Sequence, residues 1–448
     1  MASPPFAPPV PSPEAAPAPF DAASPPSAHR HGAATRGAPV PHRLLCRACG
    51  ADYPASPTAI CEACLGPLEP RYDPGRALPL PAEIGSRAPS LWRYREWLPF
   101  TGEPVHARDT GFTPLVEAPA LAERIGVARA WVKNDSVSHP SLSFKDRVVS
   151  QAINAAAAFG CDTLACASTG NLANAVAAHA ARAGLDAWIF VPFDLEPAKI
   201  TASVVYGAHV VRVKGTYDDV NRLCCQVADR YGWGVANVNL RSYYGEGSKT
   251  VAFEIAEQLG WRLPTAVVAP MAGGSLVTKL AKGFQEFLAA GLVEGSTPRL
   301  YGAQAEGCAP IVRALRPGEE IAIRPEVPNT IARSLAIGNP ADGLSAARAI
   351  RESGGAGIAV SDEMLRHGIV GLAHATGIFT ETAGGVVTAA ALSLGFEGEL
   401  TPSDEVVLCI TGNGLKTPDA VPAELLSTPV IAPRITEVAE LVRGAVLH

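Results

Sequence analysis

The sequence predicts an α/β protein with two open parallel sheets that face each other, preceded by a small cysteine-bearing unit. From residue 116 onward, segments that are apolar throughout alternate with helical segments, which is typical of parallel strands covered on both faces. About nine such strands are too many for one sheet of ordinary size, so two sheets are expected. Four cysteines in two CxxC pairs near the N-terminus mark the separate unit.

Strands and helices alternate along the chain, and each can be located from its residue pattern. The clearest of the apolar strand segments are AWVKND, TLACAST, DAWIFVP, HVVRVKG, GVANVN, TAVVAPMAGG and EVVLCITG. The helical segments are VVSQAINAAAAFG, NLANAVAAHAARAG, AKITASVVYG, DDVNRLCCQVADRYG, KTVAFEIAEQLG and SLVTKLAKGFQEFLAAG. Gly160 is expected to end the first of these helices, because glycine readily adopts the left-handed conformation that closes a helix. A ligand site is expected where the carboxyl ends of strands meet the starts of helices.

Composition divides the chain into a tail, a small unit and two domains. Residues 1–41 are rich in Pro, Ala and Ser, and this composition predicts a disordered tail. Residues 42–75 form the cysteine unit, which is too short to hold a core without a metal or cross-links. A large domain is predicted over 76–149 and 236–448, with a smaller α/β domain, 150–235, inserted into it.

The charge balance excludes several classes of partner. The chain has 37 basic and 43 acidic residues, a net charge of −6, so it lacks the basic excess that broad binding to nucleic acid or membranes requires. Apolar runs stay shorter than the roughly 18 residues that would indicate a membrane-spanning helix. Ten cysteines are far too few for a disulfide scaffold, and they favour a reducing, cytoplasmic setting.

The cysteine unit has the spacing of a structural zinc site. Cys46, Cys49, Cys61 and Cys64 form two CxxC pairs separated by a short loop. Two such pairs can place four thiolates around one Zn²⁺, and a four-thiolate site leaves no open position for catalysis. Four reduced thiols without a metal are the alternative.

The segment SLSFKDR places a lysine at the start of a helix. Lys145 lies where a loop enters the helix that begins around Asp146. The positive end of the helix dipole and partial burial beside Phe144 both disfavour an ammonium group there. The neutral amine would be the nucleophile that an imine requires. The alternative is an ordinary first-turn lysine paired with Asp146.

The segment ASTGNLANAV joins a strand to a helix through a polar turn. Ser168, Thr169, Gly170 and Asn171 offer hydroxyls, an amide and backbone N–H groups at a helix N-terminus. This combination suits an anion or a carboxylate. A plain N-terminal cap without a ligand is the alternative.

The segment APMAGGSLVTK also joins a strand to a helix, here through a glycine-containing loop. Ala272, Gly273, Gly274 and Ser275 allow the backbone to wrap around a phosphate at the start of a helix. The loop matches neither the GxxxxGK[ST] nor the GxGxxG pattern, so nucleotide binding is not indicated. A glycine-rich turn without a ligand is the alternative.

Two further segments carry candidate ligands. In CITGNGLK, Thr411 ends the last strand, and its hydroxyl could bond a heteroaromatic ring nitrogen; the alternative is a simple C-terminal turn. In NLRSYYGEGSK, Arg241 and Lys249 precede a helix and could hold a substrate phosphate, the arginine through its planar fork. Surface salt pairing is the alternative for both cations.

A lysine, a polar turn, a glycine phosphate loop and a threonine at a strand end are together the parts of a pyridoxal phosphate site. The segments KNDSVSHPSLSFKDR, ASTGN, MAGGSLVTK, TIARSLAIGNP, GIFTETAGG and TGNGLK, in their order along the chain, resemble the threonine synthase family. The N-terminal CRACG, CEACLGPLEPRYD and LWRYREWLP segments resemble its zinc-ribbon-bearing members. The resemblance spans about residues 43–420. Where many members have a GNxGN phosphate loop, this chain has MAGGS.

The resemblance implies the tryptophan-synthase-β-like fold of pyridoxal phosphate enzymes and a function in threonine biosynthesis, in the aspartate family of amino acids. It implies a homodimeric lyase that converts O-phosphohomoserine and water to threonine and phosphate. Lys145 would bind the cofactor covalently and move protons at Cα and Cβ. Asn171 would bond the cofactor's 3-hydroxyl, Thr411 would face the pyridine nitrogen, and the loop 272–275 would hold the cofactor phosphate. Ser168, Thr169 and Gly170 would bind the substrate carboxylate.

Three other functions fit the same fold. A threonine/serine dehydratase would share the lysine and its cofactor. A related replacement enzyme, such as cysteate synthase, would add another nucleophile, for example sulfite. A catalytically inactive regulatory homologue would keep the fold and use the ribbon to bind partners.

Overall fold

The computed structural model describes residues 42–100, 102–168, 170–193, 197–215, 217–316 and 318–445. The predicted disordered tail, 1–41, and the predicted substrate residue Thr169 lie outside the described residues. The strands are β1 (Arg43–Cys46), β2 (Asp52–Pro54), β3 (Leu68–Arg71), β4 (Leu115–Glu117), β5 (Arg129–Asn134), β6 (Thr163–Ala167), β7 (Asp186–Pro192), β8 (His209–Val213), β9 (Gly234–Val235), β10 (Ala266–Pro270), β11 (Arg299–Ala305), β12 (Gly357–Val360) and β13 (Glu405–Ile410).

These strands form three sheets. The six-stranded sheet has the order β12-β11-β10-β13-β5-β4, and all its neighbours are parallel except β4, which runs antiparallel to β5. The four-stranded sheet, β8-β7-β6-β9, is parallel throughout. The three N-terminal strands form a small antiparallel sheet, β2-β1-β3, which we call the ribbon. The predicted fold class, two open parallel sheets with a small N-terminal cysteine unit, is confirmed.

Helices cover both parallel sheets. They are α1 (Pro81–Ser86), α2 (Pro119–Ile125), α3 (Lys145–Phe159), α4 (Asn171–Ala183), α5 (Pro197–Val204), α6 (Tyr217–Tyr231), α7 (Arg241–Gln258), α8 (Ser275–Ala289), α9 (Pro310–Arg313), α10 (Gly343–Glu352), α11 (Asp362–Thr376), α12 (Thr382–Phe396) and α13 (Ile435–Ala445). Gly160 closes α3 in the left-handed conformation, as expected. No helix in the described part of the chain is long and apolar enough to cross a membrane.

The large sheet is buried on both faces, which explains its continuous apolar strands. Along β10, Val267 packs into a cluster with residues of α7 and α8, whereas Val268 packs into a second cluster with residues of α11 and α12. Both valines are fully buried. An apolar residue is therefore needed at each successive position, and the usual alternation of a half-exposed strand is lost.

Sequence reasoning misses three strands of the six-stranded sheet, and each has a local reason. Strand β4 has only three residues and joins the sheet antiparallel at its edge. Strand β12 has four residues. Strand β11 contains a glycine and the polar Gln304, although Gln304 is fully buried and accepts hydrogen bonds from the backbone of Ile311 and Val312.

The start of α7 is the main difference from the sequence expectation. The sequence predicts a helix start near Lys249, but the helix begins at Arg241 and includes two glycines. A Cβ atom on Gly247 would lie only 2.3 Å from the backbone oxygen of Arg147, because α7 crosses α3 at this point. Tertiary packing therefore requires a glycine that local helix propensity disfavours.

The ribbon is packed against one side of α7. Ser242 Oγ donates to the carbonyl oxygens of Leu68 and Thr58, at 2.8 and 3.2 Å. Tyr243 Oη donates to the carbonyl oxygen of Ser56 at 2.9 Å. Each of these acceptors belongs to the ribbon or to the loops between its strands, so helix and ribbon form one continuous interface.

Candidate active site

Two segments that lie far apart in the sequence pair at the start of α3. The backbone N–H of Phe144 donates to the carbonyl oxygen of Thr411 at 2.8 Å, and Asn413 donates to Leu142 at 3.1 Å. An antiparallel bridge between Ser143 and Gly412 lies between these bonds. The turn after β13 therefore holds the loop that leads into Lys145.

Lys145 is the first residue of α3 and is half-buried. Its Nζ donates to Tyr244 Oη at 3.1 Å. Asp146 does not take up this amine, because its fully buried carboxylate lies 3.2 Å from His179 Nε2 and accepts a bond from the backbone of Ser141 at 3.0 Å. The alternative of a lysine paired with Asp146 is therefore not what the structure contains.

A buried charge cluster fixes the first turn of α3. Arg147 bonds Asp135 at 2.7 Å and Glu254 at 2.8 Å, and Lys133 lies 2.6 Å from the same Glu254. Burial opposes ionisation of Glu254, but the cations of Arg147 and Lys133 lower its pKa to about 2. These bonds join α3 to α7 and to the end of β5, so the position of Lys145 is set from several elements.

The polar turn after β6 meets a carboxylate that sequence reasoning does not identify. Asn171 begins α4, and its Nδ2 donates to both carboxylate oxygens of Glu381, at 3.0 and 2.9 Å. The backbone N–H of Glu381 donates to the carbonyl oxygen of Gly412 at 3.0 Å. Ser168 and Gly170 lie in the same turn, immediately before Asn171. The structure thus brings this turn and the turn of Thr411 to the same residue.

The glycine loop joins β10 to α8. Gly274 has a φ of +90°, and a Cβ there would lie 2.9 Å from the Cβ of Ala346 and from the carbonyl oxygen of Asp342. By contrast, a Cβ on Gly273 would meet open space. Helix α8 begins at Ser275, so the N–H groups of its first turn have no partner within the helix. This geometry fits the phosphate of a cofactor.

The two cations predicted to hold a substrate phosphate are in different places. Arg241 Nη2 lies 2.8 Å from Asp342, whose backbone N–H donates to the carbonyl oxygen of Gly273. Arg241 is therefore next to the glycine loop and is partly exposed. Arg47 of the ribbon approaches the same Asp342 at 3.3 Å.

Lys249 requires a correction. Its side chain is fully buried, with Nζ 2.6 Å from Glu246 and 2.9 Å from Glu286, and it lies 4.4 Å from the ring centre of Tyr72. Burial lowers the pKa of Lys249, although both carboxylates oppose this effect. The residue belongs to the interface with the ribbon. The prediction is wrong because it takes the segment as a loop before the helix, whereas Lys249 lies two turns inside α7.

Tyr244 and Glu381 are site residues that sequence reasoning misses. Tyr244 lies one turn after Arg241, so both side chains share one face of α7, but that relation is visible only when the helix start is known. Glu381 lies in GIFTETAGG, a segment that resembles the family but suggests no role for the glutamate. A glutamate next to a glycine-rich helix start is the one local signal that could have identified it.

The four predicted cysteine ligands converge. Their Sγ atoms all lie within 4.8 Å of one another, with 3.4 Å between Cys46 and Cys64 and 3.7 Å between Cys49 and Cys61. Zn–S bonds of 2.3 Å in a tetrahedron would give S···S distances of about 3.8 Å. A Cβ on Gly66 would come within 3.1 Å of two of these sulfur atoms. The cysteines therefore fit a tetrahedral metal ion.

Comparisons with known proteins agree on one family. Residues 107–412 match the family described as "Pyridoxal-phosphate dependent enzyme". The threonine synthase of Methanosarcina acetivorans is 34% identical over 406 residues, which cover 90% of this chain and 99% of that protein. The threonine synthases of Methanocaldococcus jannaschii and Synechocystis are 34% and 36% identical, over 84% and 73% of this chain and 93% and 82% of theirs.

Solved structures share the fold at lower identity. Maize serine racemase aligns with a TM-score of 0.57 at 22% identity, covering 68% of this chain and 90% of its own. The processed form of a threonine deaminase from Solanum lycopersicum aligns with a TM-score of 0.57 at 21% identity, covering 68% and 79%. These structures support the fold, whereas the sequence relatives support the family. The chain belongs to the threonine synthase family of pyridoxal-phosphate dependent enzymes.

Proposed function

We propose that the chain converts O-phosphohomoserine and water to L-threonine and phosphate, with pyridoxal 5′-phosphate bound at Lys145. The observation that carries this proposal is the 34% identity to a threonine synthase over 90% of the chain. The meeting of Lys145, Asn171 and the turn of Thr411 around Glu381 supports it, because a cofactor of this kind needs groups at several points of its ring. The relatives do not favour the dehydratase alternative.

Each part of the cofactor has a residue that fits it. The loop Ala272–Ser275 would hold the phosphate with the N–H groups of α8. Asn171 would bond the 3-hydroxyl, and Thr411 would face the pyridine nitrogen. When bound, the cofactor supplies an electron-accepting ring next to the substrate carbon that loses a proton.

The remaining chemistry is assigned to side chains of this protein. Lys145 would take a proton from Cα and then one from Cβ, which would let phosphate leave Cγ. A proton would then be returned to Cγ, water would add at Cβ, and Cα would regain its proton. Tyr244, whose hydroxyl accepts from Lys145, would orient this amine. Ser168, Thr169 and Gly170 would bind the substrate carboxylate, and Arg241 would stabilise the leaving phosphate.

The ribbon is proposed to hold one structural Zn²⁺ on its four cysteines. The described helices and sheets also support the proposed division into 42–75, a large domain over 76–149 and 236–448, and a small domain over 150–235. The strands of the four-stranded sheet, β6 to β9, all lie within the last of these ranges. A homodimer in the cytoplasm is the assembly and location that we expect for such an enzyme.

A phosphate-release assay with O-phosphohomoserine tests the function. We expect phosphate and threonine in equal amounts from the wild-type protein and neither product from Lys145→Ala. Threonine and O-phosphoserine, offered as substrates in parallel, would give ammonia if the protein were a dehydratase. Release of ammonia from these substrates, without phosphate release from O-phosphohomoserine, would refute the proposal.

Borohydride reduction followed by mass spectrometry tests the attachment of the cofactor. We expect the reduced adduct on the peptide that contains Lys145. An adduct on another lysine, or no adduct in active protein, would show that Lys145 does not carry the cofactor.

A further inference from the structure

Glu381 is a buried carboxylate with two links to the active-site turns. Its side chain is 3% exposed, and it lies just before the first residue of α12 without capping that helix. Asn171 Nδ2 donates to both of its oxygens, at 3.0 and 2.9 Å. None of the roles assigned above uses this carboxylate.

The carboxylate lies directly against the turn that follows Thr411. A Cβ on Gly412 would overlap the carboxylate of Glu381, so a larger residue at this position would force that buried side chain to move. Thr380 Oγ1 also donates to the carbonyl oxygen of Gly412, at 3.1 Å. Glu381 therefore lies between Asn171 on one side and the turn of Thr411 on the other.

The charges around Glu381 come from two other elements. Burial raises its pKa, whereas the bond from Asn171 and the cations of Lys416 and Lys145 oppose that rise. Lys416 follows β13, and burial lowers the pKa of its amine, opposed by Glu381 and by Asp146. Lys145 lies at the start of α3. Glu381 is thus a carboxylate with a raised pKa, and two amines limit that rise.

An asparagine amide can present either its nitrogen or its oxygen to a neighbour, because the two orientations have nearly the same shape. An ionised carboxylate accepts hydrogen bonds only, so it selects the nitrogen. In this structure one N–H of Asn171 can be shared by both oxygens of Glu381, which leaves the second N–H for another acceptor.

We propose that Glu381 is a positioning residue that fixes the amide orientation of Asn171 and thereby aims one N–H at the 3-oxygen of the cofactor. The proposal rests on the proposed role of Asn171 as a cofactor ligand. It deepens that role, because the donor would depend on the charge of a residue that does not itself touch the substrate. A protonated Glu381 would offer a donor instead, and the opposite amide orientation would then compete.

The pH dependence of the cofactor absorption band tests this proposal in the holoenzyme. We expect the wild-type band to change at a pH above the ordinary glutamate range, as Glu381 takes up a proton. Glu381→Gln should remove this change and weaken retention of the cofactor, measured by equilibrium dialysis, by about tenfold. Glu381→Asp, which keeps the charge, should retain the change in part. Glu397→Gln, at the exposed residue that follows α12, is the matched control and should behave as wild type.

A double-variant cycle shows whether Glu381 acts through Asn171. If it does, adding Glu381→Gln to Asn171→Ala should weaken cofactor retention by less than about twofold further. Full additivity of the two effects would overturn the proposal, as would an unchanged pH response in Glu381→Gln. If Glu381→Gln does not fold, a pH response of Glu381→Asp identical to that of the wild type would overturn it.

Failure of the proposed function has a different signature. In that case the wild-type protein would release no phosphate and form no threonine from O-phosphohomoserine, even if it carried the cofactor at Lys145. A wild-type protein that binds the cofactor and forms threonine, together with a Glu381→Gln variant of unchanged affinity and pH response, would reject only the positioning role.

Discussion

At the scale of single residues, the site depends on contacts between Lys145 and residues outside the SLSFKDR segment. Tyr243 and Tyr244 are neighbours on α7 but face different partners. Tyr244 Oη bonds Lys145, whereas Tyr243 Oη bonds the ribbon at Ser56. Tyr244 is therefore expected to affect the reaction, whereas Tyr243 is expected to affect the stability of the fold.

We expect Tyr244→Phe to lower kcat by about tenfold, because the amine of Lys145 loses its hydrogen-bond partner. The KM for O-phosphohomoserine should change little. Tyr243→Phe is the control: it should lower the free energy of unfolding by about 1 kcal/mol and leave kcat unchanged. Steady-state kinetics and urea unfolding measure both effects. Equal loss of kcat in the two variants would contradict the distinct role of Tyr244.

Much of the site could be predicted from the sequence because its parts lie at junctions of strands and helices. Lys145, Asn171 and the loop 272–275 each lie at the start of a helix that the local sequence predicts, and the structure has a helix start at each of these places. Glu381 and Tyr244 could not be found in this way, since their importance comes from partners distant in the sequence. Lys249 is misplaced because the two glycines before it suggest a loop, and only the crossing with α3 shows why they lie in a helix.

At the scale of elements, α7 is the helix that contacts both the ribbon and the helix that carries Lys145. It crosses α3 at Gly247, contacts the ribbon on one side and faces Lys145 on the other. A small change in the separation of α3 and α7 would therefore move Lys145 relative to Tyr244. The glycine at the crossing sets that separation.

We expect Gly247→Ala to destabilise the protein by about 3 kcal/mol, because its Cβ would overlap the backbone oxygen of Arg147. Gly85→Ala is the matched control, since Gly85 lies in helix α1 and a Cβ there meets open space. Thermal and urea unfolding compare the two variants. A Gly247→Ala protein as stable as the wild type would show that the helices can separate freely.

The buried interface between α7 and the ribbon gives a second test of this element. We expect Lys249→Ala to destabilise the protein by about 3 kcal/mol, because Glu246 and Glu286 lose a buried cation. The KM for O-phosphohomoserine should not rise, whereas Arg241→Ala should raise it about tenfold. A large rise of KM in Lys249→Ala alone would restore its original assignment to the substrate phosphate.

At the scale of the whole molecule, buried and half-buried carboxylates make stability depend on pH. Burial opposes ionisation of Glu69, but Lys279 and Lys282 lower its pKa to about 2, as Arg147 and Lys133 do for Glu254. Because these pKa values are depressed in the folded chain, the stabilisation is present above the ordinary glutamate value and is lost as pH falls.

We therefore expect the Tm to fall progressively from about pH 5 towards about pH 2. Glu254→Gln should be less stable at neutral pH and should show a weaker dependence on pH in the acid range. Glu123→Gln, at an exposed position of α2, is the control. An identical acid slope in wild type and Glu254→Gln would mean that other groups govern acid unfolding.

The four cysteines of the ribbon give a prediction about the metal content of the protein. We expect one zinc ion per chain by metal analysis, and its loss in Cys46→Ser with a lower Tm. Cys225→Ser, which changes an exposed cysteine outside the ribbon, should keep the metal. A metal-free wild-type protein with four titratable thiols in the ribbon would support the alternative of reduced cysteines.

The hydrogen bonds and ion pairs between the ribbon and α7 have a consequence for a shortened form of this protein. In a chain that starts at residue 76, the hydroxyls of Ser242 and Tyr243 would lose their hydrogen-bond acceptors in the ribbon. The ion pair between Glu246 and Lys249 would become exposed to water. The loosened segment would be the very turn that carries Arg241 and Tyr244. The ribbon therefore supports the start of α7 from outside the two α/β domains. An enzyme without the ribbon should lose affinity for its substrate before it loses the rest of its fold.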